Sequence, residues 1–543
     1  MRTFSRTSRR EKQPLEPLDK MATSVILLMI GIIAAMLLLG SQALPKVRTF
    51  SWQDRAVSAD DVAFMLTFTQ PVEPASVEAN LKIEPELAGK FSWAGRRMAY
   101  TLAVPAPYGE TYTLSLPEAN ALNRQSGFEP FRSEFRTRDR IFAYIGADGE
   151  EKGRLVMFNF TRKEKKLLTP AGQTVLNFQP YPDRDRILYL AASPAEGEEN
   201  TLAFAELYSV ATGIEAETTA PKWQIWRPKP ADAGERSLIL DNKDYQNLKF
   251  DLSPNGKVIV IQRVNQQNPA DFGPWVLIEG EPPRKLQTEP GGDFRIAPDS
   301  ASLLLQQGQG TAVIALTETD SAQTAPETAP ETAPEKTAKT AAKTAATDEL
   351  LDFLPDYGLT LDIANDGSAA AFVNFNQDDP EKRFTQSLVW VSNRGEEKLL
   401  LQTDGNIVSA QFNEDNELLY CLVNRLVVEG DTNYLVMPYL TAINIKTGQA
   451  KKLIEMPPQP EITVSLSPDG LAILFDEMLV SDQQQNDQDR QAESSEDETL
   501  MEATHRLWLL PLFSTLEERL LDNPIPLPAT ELEIAGRQPM WLS

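Results

Sequence analysis

The chain has 543 residues, 41% of them hydrophobic and 8% aromatic, enough for packed cores and too many for one small domain. Its 52 Lys and Arg stand against 78 Asp and Glu, a formal charge of −26, which excludes broad docking on nucleic-acid phosphates or anionic lipid. A single cysteine and a single histidine exclude an intramolecular disulfide, a cysteine-type zinc site and any multi-histidine metal centre.

Residues 1–20 hold six basic against three acidic residues and read as a cytoplasmic basic segment. MATSVILLMIGIIAAMLLLG follows, from Met21 to Gly40, uncharged and long enough for about 30 Å of helix. This predicts a transmembrane helix over 21–40, with the bulk of the chain outside the cytoplasm in a single-pass arrangement at the cell membrane. The competing reading is a cleaved signal peptide, for which Ser41-Gln42-Ala43 supplies small residues.

Residues 44–55 read as a tether. Over 56–138, short alternating runs (VAFMLTF, KFSWAG, RMAYTLAV, TYTLSL) are separated by turns, which predicts a β-sandwich. The string FTQPVEPASVEANLKIEP with the later Trp93, the PYGETYTLSL phrase and FRTR resembles the bacterial immunoglobulin-like domain of the S-layer SbsA type. That resemblance implies a spacer or adhesion module.

From residue 141 one phrase recurs. It reads FDLSPNGKVIVI at 250–261, FRIAPDSASLLL at 294–305, LDIANDGSAAAF at 361–372, QFNEDNELLY at 411–420 and LSPDGLAILF at 466–475, with a looser copy, FQPYPDRDRILYL, near 178–190. Each copy sets a tight turn between two apolar strands. A second phrase alternates with it, as in SLVWVSNRGEEKLLL and YLTAINIKTGQAKKLI. Together they give four strands per repeat of roughly 40–50 residues, the signature of a propeller blade. The phrases resemble TolB-like, WD40-like propeller repeats. Ring size is expected at seven blades, with six and eight open. The terminal Pro539-Met540-Trp541-Leu542-Ser543 can supply the strand missing ahead of residue 141. The expected fold class is therefore an all-β chain: a β-propeller over 141–543, an Ig-like β-sandwich and one N-terminal transmembrane helix.

Two stretches interrupt the repeats: 317–349, rich in Ala, Thr and Pro, and 481–499, acidic and polar. Both read as disordered insertions.

The search for chemistry is short. His505 is expected to be an exposed strand-end residue, and Cys421 a buried core residue. There is no phosphate-binding glycine loop and no nucleophile elbow. Turn geometry accounts for Asp362 with Asn365-Asp366-Gly367, so no metal and no cofactor are expected. WQIWRPKP, with Trp223, Trp226 and Arg227, is the candidate contact surface. The expected function is a membrane-anchored binding or scaffold protein, not an enzyme, presenting the propeller to a protein or cell-envelope polymer. The alternative is a propeller hydrolase or lyase acting on glycan or peptide through carboxylates.

Overall fold

The computed structural model describes residues 17–40, 44–122, 127–192, 204–215, 231–316, 350–429, 433–459, 461–479 and 504–542. The expected disordered insertions 317–349 and 481–499 lie outside these, as does the tryptophan-rich stretch 223–230. The described chain divides into two compact units.

The first unit comprises Met1–Val57, Val62–Ala103 and Thr111–Arg136. It opens with helix α1, Pro17–Gly40. Its strands are β1 (Val47–Phe50), β2 (Ala56–Val57), β3 (Ala63–Phe68), β4 (Lys82–Glu84), β5 (Gly89–Ala94), β6 (Arg97–Leu102), β7 (Thr111–Leu116) and β8 (Phe131–Thr137). They form two four-stranded sheets, ordered β1-β3-β6-β5 and β2-β8-β7-β4. Strict alternation in β3, whose Phe64, Leu66 and Phe68 are buried, gives the first sheet one apolar face. Trp52 fills the core, with ring centroids 5.2 Å from Phe64 and 5.1 Å from Phe135 on β8.

The expected fold class needs two corrections here. No helix among the described residues is long and apolar enough to cross a membrane. The span over Met21–Gly40 and the single-pass cell-membrane localisation built on it are withdrawn. Nor is an immunoglobulin-like sandwich shown over 56–138. A helix, Pro74–Asn80, started by a proline in its first turn and burying only Val77, stands between β3 and β4. Strand β1 comes from the stretch expected to be a tether.

The second unit comprises Ser58–Asp61, Val104–Glu110 and Thr137–Ser543. It is all-β: five separate four-stranded sheets plus one seven-stranded sheet. The large sheet is two blades joined through the strand Thr530–Trp541. Residues 530–535 of that strand pair with Thr504–Pro511, and residues 536–541 pair with Ile141–Gly146. The positive φ of Glu533 and of Gln538 falls at the irregularity in each of these two pairings. Counted this way there are seven blades of four strands.

The innermost strands, in order, are residues 536–541, Thr174–Pro180, Tyr245–Leu252, Phe294–Ile296, Leu359–Ile363, Asn406–Phe412 and Val464–Leu466. One blade cannot bury both of its faces, so apolar clusters form between neighbours. Ile145 packs with Phe178, Leu207 with Phe250, and Val260 with Leu303. Leu304 packs with Phe372, Leu388 with Cys421, Tyr420 with Phe475, and Leu474 with Trp541. These clusters join blade 1 to 2, 2 to 3, and so on through 7 back to 1, so the sheets close into a ring of the propeller type.

The recurring phrase is one turn built six times. Main-chain N–H donors at Arg184, Gly256, Ser300, Gly367, Asn416 and Gly470 reach the carbonyls three residues earlier at 2.8–3.1 Å. All six residues have positive φ, between 55° and 71°. Glycine takes this conformation without a Cβ penalty, which is why the phrase so often ends in Gly.

A polar residue just before each turn ties blade to blade. The Gln179 side-chain carbonyl accepts from Leu252 N (3.0 Å), and Asp251 accepts from Ile296 N (2.7 Å). Arg295 donates to Asp362, which accepts from Phe412 N at 2.9 Å. Gln411 accepts from Leu466 N (2.8 Å) and Ser465 from Trp541 N (3.2 Å). These bonds satisfy backbone donors that the short inner strands would otherwise leave unpaired.

Candidate binding cleft on blades 4 to 6

On one face of the ring, loops of three consecutive blades border an open cleft of about 610 Å³. This lies within the range of small-ligand sites. Gln309 comes from blade 4, residues 375–386 from blade 5, and Asp404, Gly405 and Asn406 from the connection into blade 6.

The blade 5 loop is braced from inside. Asn376 has φ 52°; its side-chain NH2 donates to Thr385 O (3.1 Å) and Thr385 Oγ1 (2.9 Å), and its side-chain carbonyl accepts from Ser387 Oγ (3.1 Å). Asparagine tolerates the left-handed region better than most residues, and here one side chain closes the loop. Asp379 accepts from Glu381 N at 3.0 Å, and that bond holds its carboxyl below the usual carboxylate range. Gln386 then crosses to blade 6, accepting from Ile407 N at 2.9 Å and donating to Asn406 at 3.2 Å. Gln309 donates to Gln377 across the blade 4 side at 2.8 Å.

This bracing presents Phe384 to solvent at 87% exposure, with the Arg383 guanidinium 5.8 Å from its ring centre. Asp378 and Asp404 line the same cleft. The lining thus offers amide donors and acceptors, two carboxylates, one guanidinium and one unburied aromatic ring.

The residues singled out by sequence fare unevenly. Trp223, Trp226 and Arg227 lie outside the described residues. Cys421 is fully buried between blades 5 and 6. Asp362 is committed to Phe412 N and Arg295, and no group of metal-ligating side chains occurs among the described residues. His505, expected at the surface, is half-buried beside Asp476; burial lowers its pKa and Asp476 opposes that. Sequence reasoning missed the cleft. Its residues sit in connections that carry no strand period, and only the apolar Phe384 inside the polar run DDPEKRFTQ marked it.

A second charged locus lies on the turn side of blades 6 and 7. Burial pushes the Asp522 carboxyl up to about 6, followed by Asp415 and Glu417, with Lys446 and Arg519 opposing. A folded value above the unfolded one, about 4, means that the ring holds this proton more tightly than the unfolded chain does. Its contribution is full below about pH 4 and is lost as pH rises through about 6. The melting temperature should therefore fall across about pH 4–6, and Asp522→Asn should flatten that fall. Thermal unfolding at several pH values checks this.

No protein-family model matches the chain. No curated protein matches it either. Solved structures to which it is similar include TolB from Acinetobacter baumannii, at 10% identity and a TM-score of 0.37, covering 85% of this chain and 83% of that one. An oligogalacturonate lyase from Vibrio parahaemolyticus follows at 11% identity and TM-score 0.39, covering 62% of this chain and 88% of its own. A putative 6-phosphogluconolactonase from Bacteroides fragilis stands at 12% and 0.38, covering 74% and 97%. The structural neighbours thus include TolB-like propeller proteins; the ring assigned above rests on this chain's own strand pairing and packing.

Proposed function

We propose that the ring is a binding module and that the cleft on blades 4 to 6 engages a protein or cell-envelope polymer. The observation that carries this is Phe384, 87% exposed on a loop whose conformation Asn376 fixes with three hydrogen bonds. A large aromatic ring held in water contributes nothing to the core. It gains about 25 cal/mol per Å² of apolar area only when something covers it. A braced loop also loses little entropy on binding.

The test is affinity for labelled peptides and soluble cell-wall glycan fragments, measured on the parent and on Phe384→Ala. Binding should weaken tenfold or more, about 1.4 kcal/mol, with the melting temperature unchanged. Equal affinity would remove the cleft as the contact. Asp378 and Asp404 in the same lining favour a second reading, a hydrolase or lyase acting on glycan or peptide through carboxylates. Product formed from a labelled glycan by the parent, and lost in Asp404→Asn, would support that reading over simple binding.

A further inference from the structure

Blade 6 carries a hairpin that outgrows its own sheet. Its strands, Leu418–Glu429 and Asn433–Asn444, are twelve residues each, where those of the other blades' central hairpins are mostly six to eight. The inner strand Asn406–Phe412 accompanies this hairpin only as far as the pair Asn406 with Asn424. On the far side, the outer strand stops at Tyr439 with Glu455. Residues 425–429 therefore pair only with 433–437, and the outer edge of 425–428 has no strand partner among the described residues. Gly405 makes this possible. A Cβ there would stand 1.7 Å from Asn424 O and 3.2 Å from Arg425 Cα, so only glycine lets the chain leave the strand at that point. One face of the ribbon is apolar and open: Leu426 at 41% and Val428 at 63% exposure, with Val436 directly opposite Leu426 at 37%.

The free edge begins where the cleft ends, because Asp404, Gly405 and Asn406 line the cavity and also border the hairpin at Asn424 and Arg425. We propose that the ligand is an extended, cationic polypeptide segment. It adds as a strand along 425–428 and places a side chain in the cleft against Phe384. This rests on the reading of the cleft as a binding site. The edge chooses polypeptide over glycan, since its alternating N–H and C=O groups match the repeat of another main chain and of no sugar polymer. Leu426, Val428 and Val436 would cover alternate side chains of the added strand. Charge chooses a cation: the cleft lining sets Asp378 and Asp404 against the one guanidinium of Arg383, Arg425 is paired to Glu455 at 3.2 Å, and the chain carries −26. A second copy of this chain would bring the same acidic surface and be repelled.

The probe is a fluorescein-labelled dodecapeptide alternating valine and lysine, followed by anisotropy. A matched peptide, N-methylated at every second residue, keeps charge and side chains but loses half its backbone donors. The expected results are binding of the parent peptide that weakens with salt, at least tenfold loss on N-methylation, and at least tenfold loss in the double variant Leu426→Thr, Val428→Thr. That variant places β-branched threonine, a good strand former, at both exposed positions, and an unchanged melting curve shows that it folds. Equal binding of the methylated peptide, or of the double variant, overturns the strand addition. If only chito-oligosaccharide binds, in a Phe384-dependent way, the strand inference falls and the cleft reading stands. If the hairpin variant abolishes peptide binding while Phe384→Ala leaves it intact, the edge stands and the cleft reading falls.

Discussion

Deleting residues 536–543 is expected to destroy the folded ring. This segment is the innermost strand of blade 1, pairing Gly536 with Gly146, Met540 with Ala143 and Trp541 with Phe142. It is also the seam between the first and last blades. Trp541 N donates to Ser465 at 3.2 Å, Gln538 N to Asp476 at 2.9 Å, and Leu542 N to Ile141 O at 2.9 Å. Trp541 and Leu542 are 7% and 1% exposed, so both are core. At about 25 cal/mol per Å², losing the Trp541 burial alone removes roughly 4–6 kcal/mol, and Leu542 about 2 more. That total is comparable to the whole stability of an ordinary domain. The deletion also bares the backbone edge of Ile141–Gly146, an invitation to intermolecular pairing. The product should elute as aggregate and lack a cooperative melt, whereas Trp541→Ala should stay monomeric with a loss of about 3–5 kcal/mol. A monomeric deletion variant with the parent's circular dichroism and melting temperature would contradict the seam.

The sequence was most legible where one physical need repeats. The turn phrase is readable because every copy must place one residue at positive φ between two apolar strands, and Gly256, Gly367 and Gly470 advertise it. Even the copies ending in Arg184, Ser300 and Asn416 keep the same hydrogen bond, so the pattern survives loss of its glycine. The blade-to-blade ties at Gln179, Asp251, Asp362 and Gln411 were visible as a polar residue between two apolar ones, yet nothing in one chain says where that polar group points. The apolar run Met21–Gly40 reads as a span by hydropathy, yet no helix among the described residues is long and apolar enough to cross a membrane. Trp52 looked like part of a tether, since a lone aromatic outside any alternation carries no period, but it is the centre of the first unit's core. The cleft was illegible for a related reason. Asn376 and Phe384 belong to an eleven-residue connection whose shape is set by individual side-chain bonds rather than by a repeat. The length of the blade 6 hairpin was in plain sight as two apolar runs around Gly430, but its free edge depends on where neighbouring strands stop.

Asp469→Ala should be the most damaging single substitution in the ring's turn face. Asp469 sits in the turn Ser467-Pro468-Asp469-Gly470, where a carboxylate is ordinarily a solvated corner; here it is 2% exposed. One oxygen accepts from Ser467 Oγ (2.7 Å) and Leu471 N (3.3 Å), the local bonds any such turn makes. The other accepts from Tyr108 N at 3.0 Å and faces the Arg140 guanidinium at 3.5 Å. Tyr108 lies in Val104–Glu110, a segment of the ring unit far from blade 7 in sequence. The same segment is gripped by Arg519, 7% exposed, which donates to Pro105 O at 2.6 Å and to Asp469 O at 2.7 Å. Tyr108 in turn accepts from Ala59 N at 2.9 Å, which draws in the other short segment, Ser58–Asp61. Removing the carboxylate strands a buried N–H and a buried hydroxyl at about 1–3 kcal/mol each. It also leaves Arg140 without its anion, a smaller loss because that side chain is one-third exposed. The expected destabilisation is about 3–5 kcal/mol, read as a lower urea midpoint for the ring's transition. Asp469→Asn keeps an acceptor for the local turn bonds and should lose about half as much, since only the charge facing Arg140 and one acceptor geometry change. The same comparison made at Asp299, whose carboxylate bonds only Ala301 N, Ser302 N and Ser302 Oγ at an exposed corner, should show under 1 kcal/mol. Equal effects at the two aspartates would mean that the segment 104–110 adds nothing to the turn it touches.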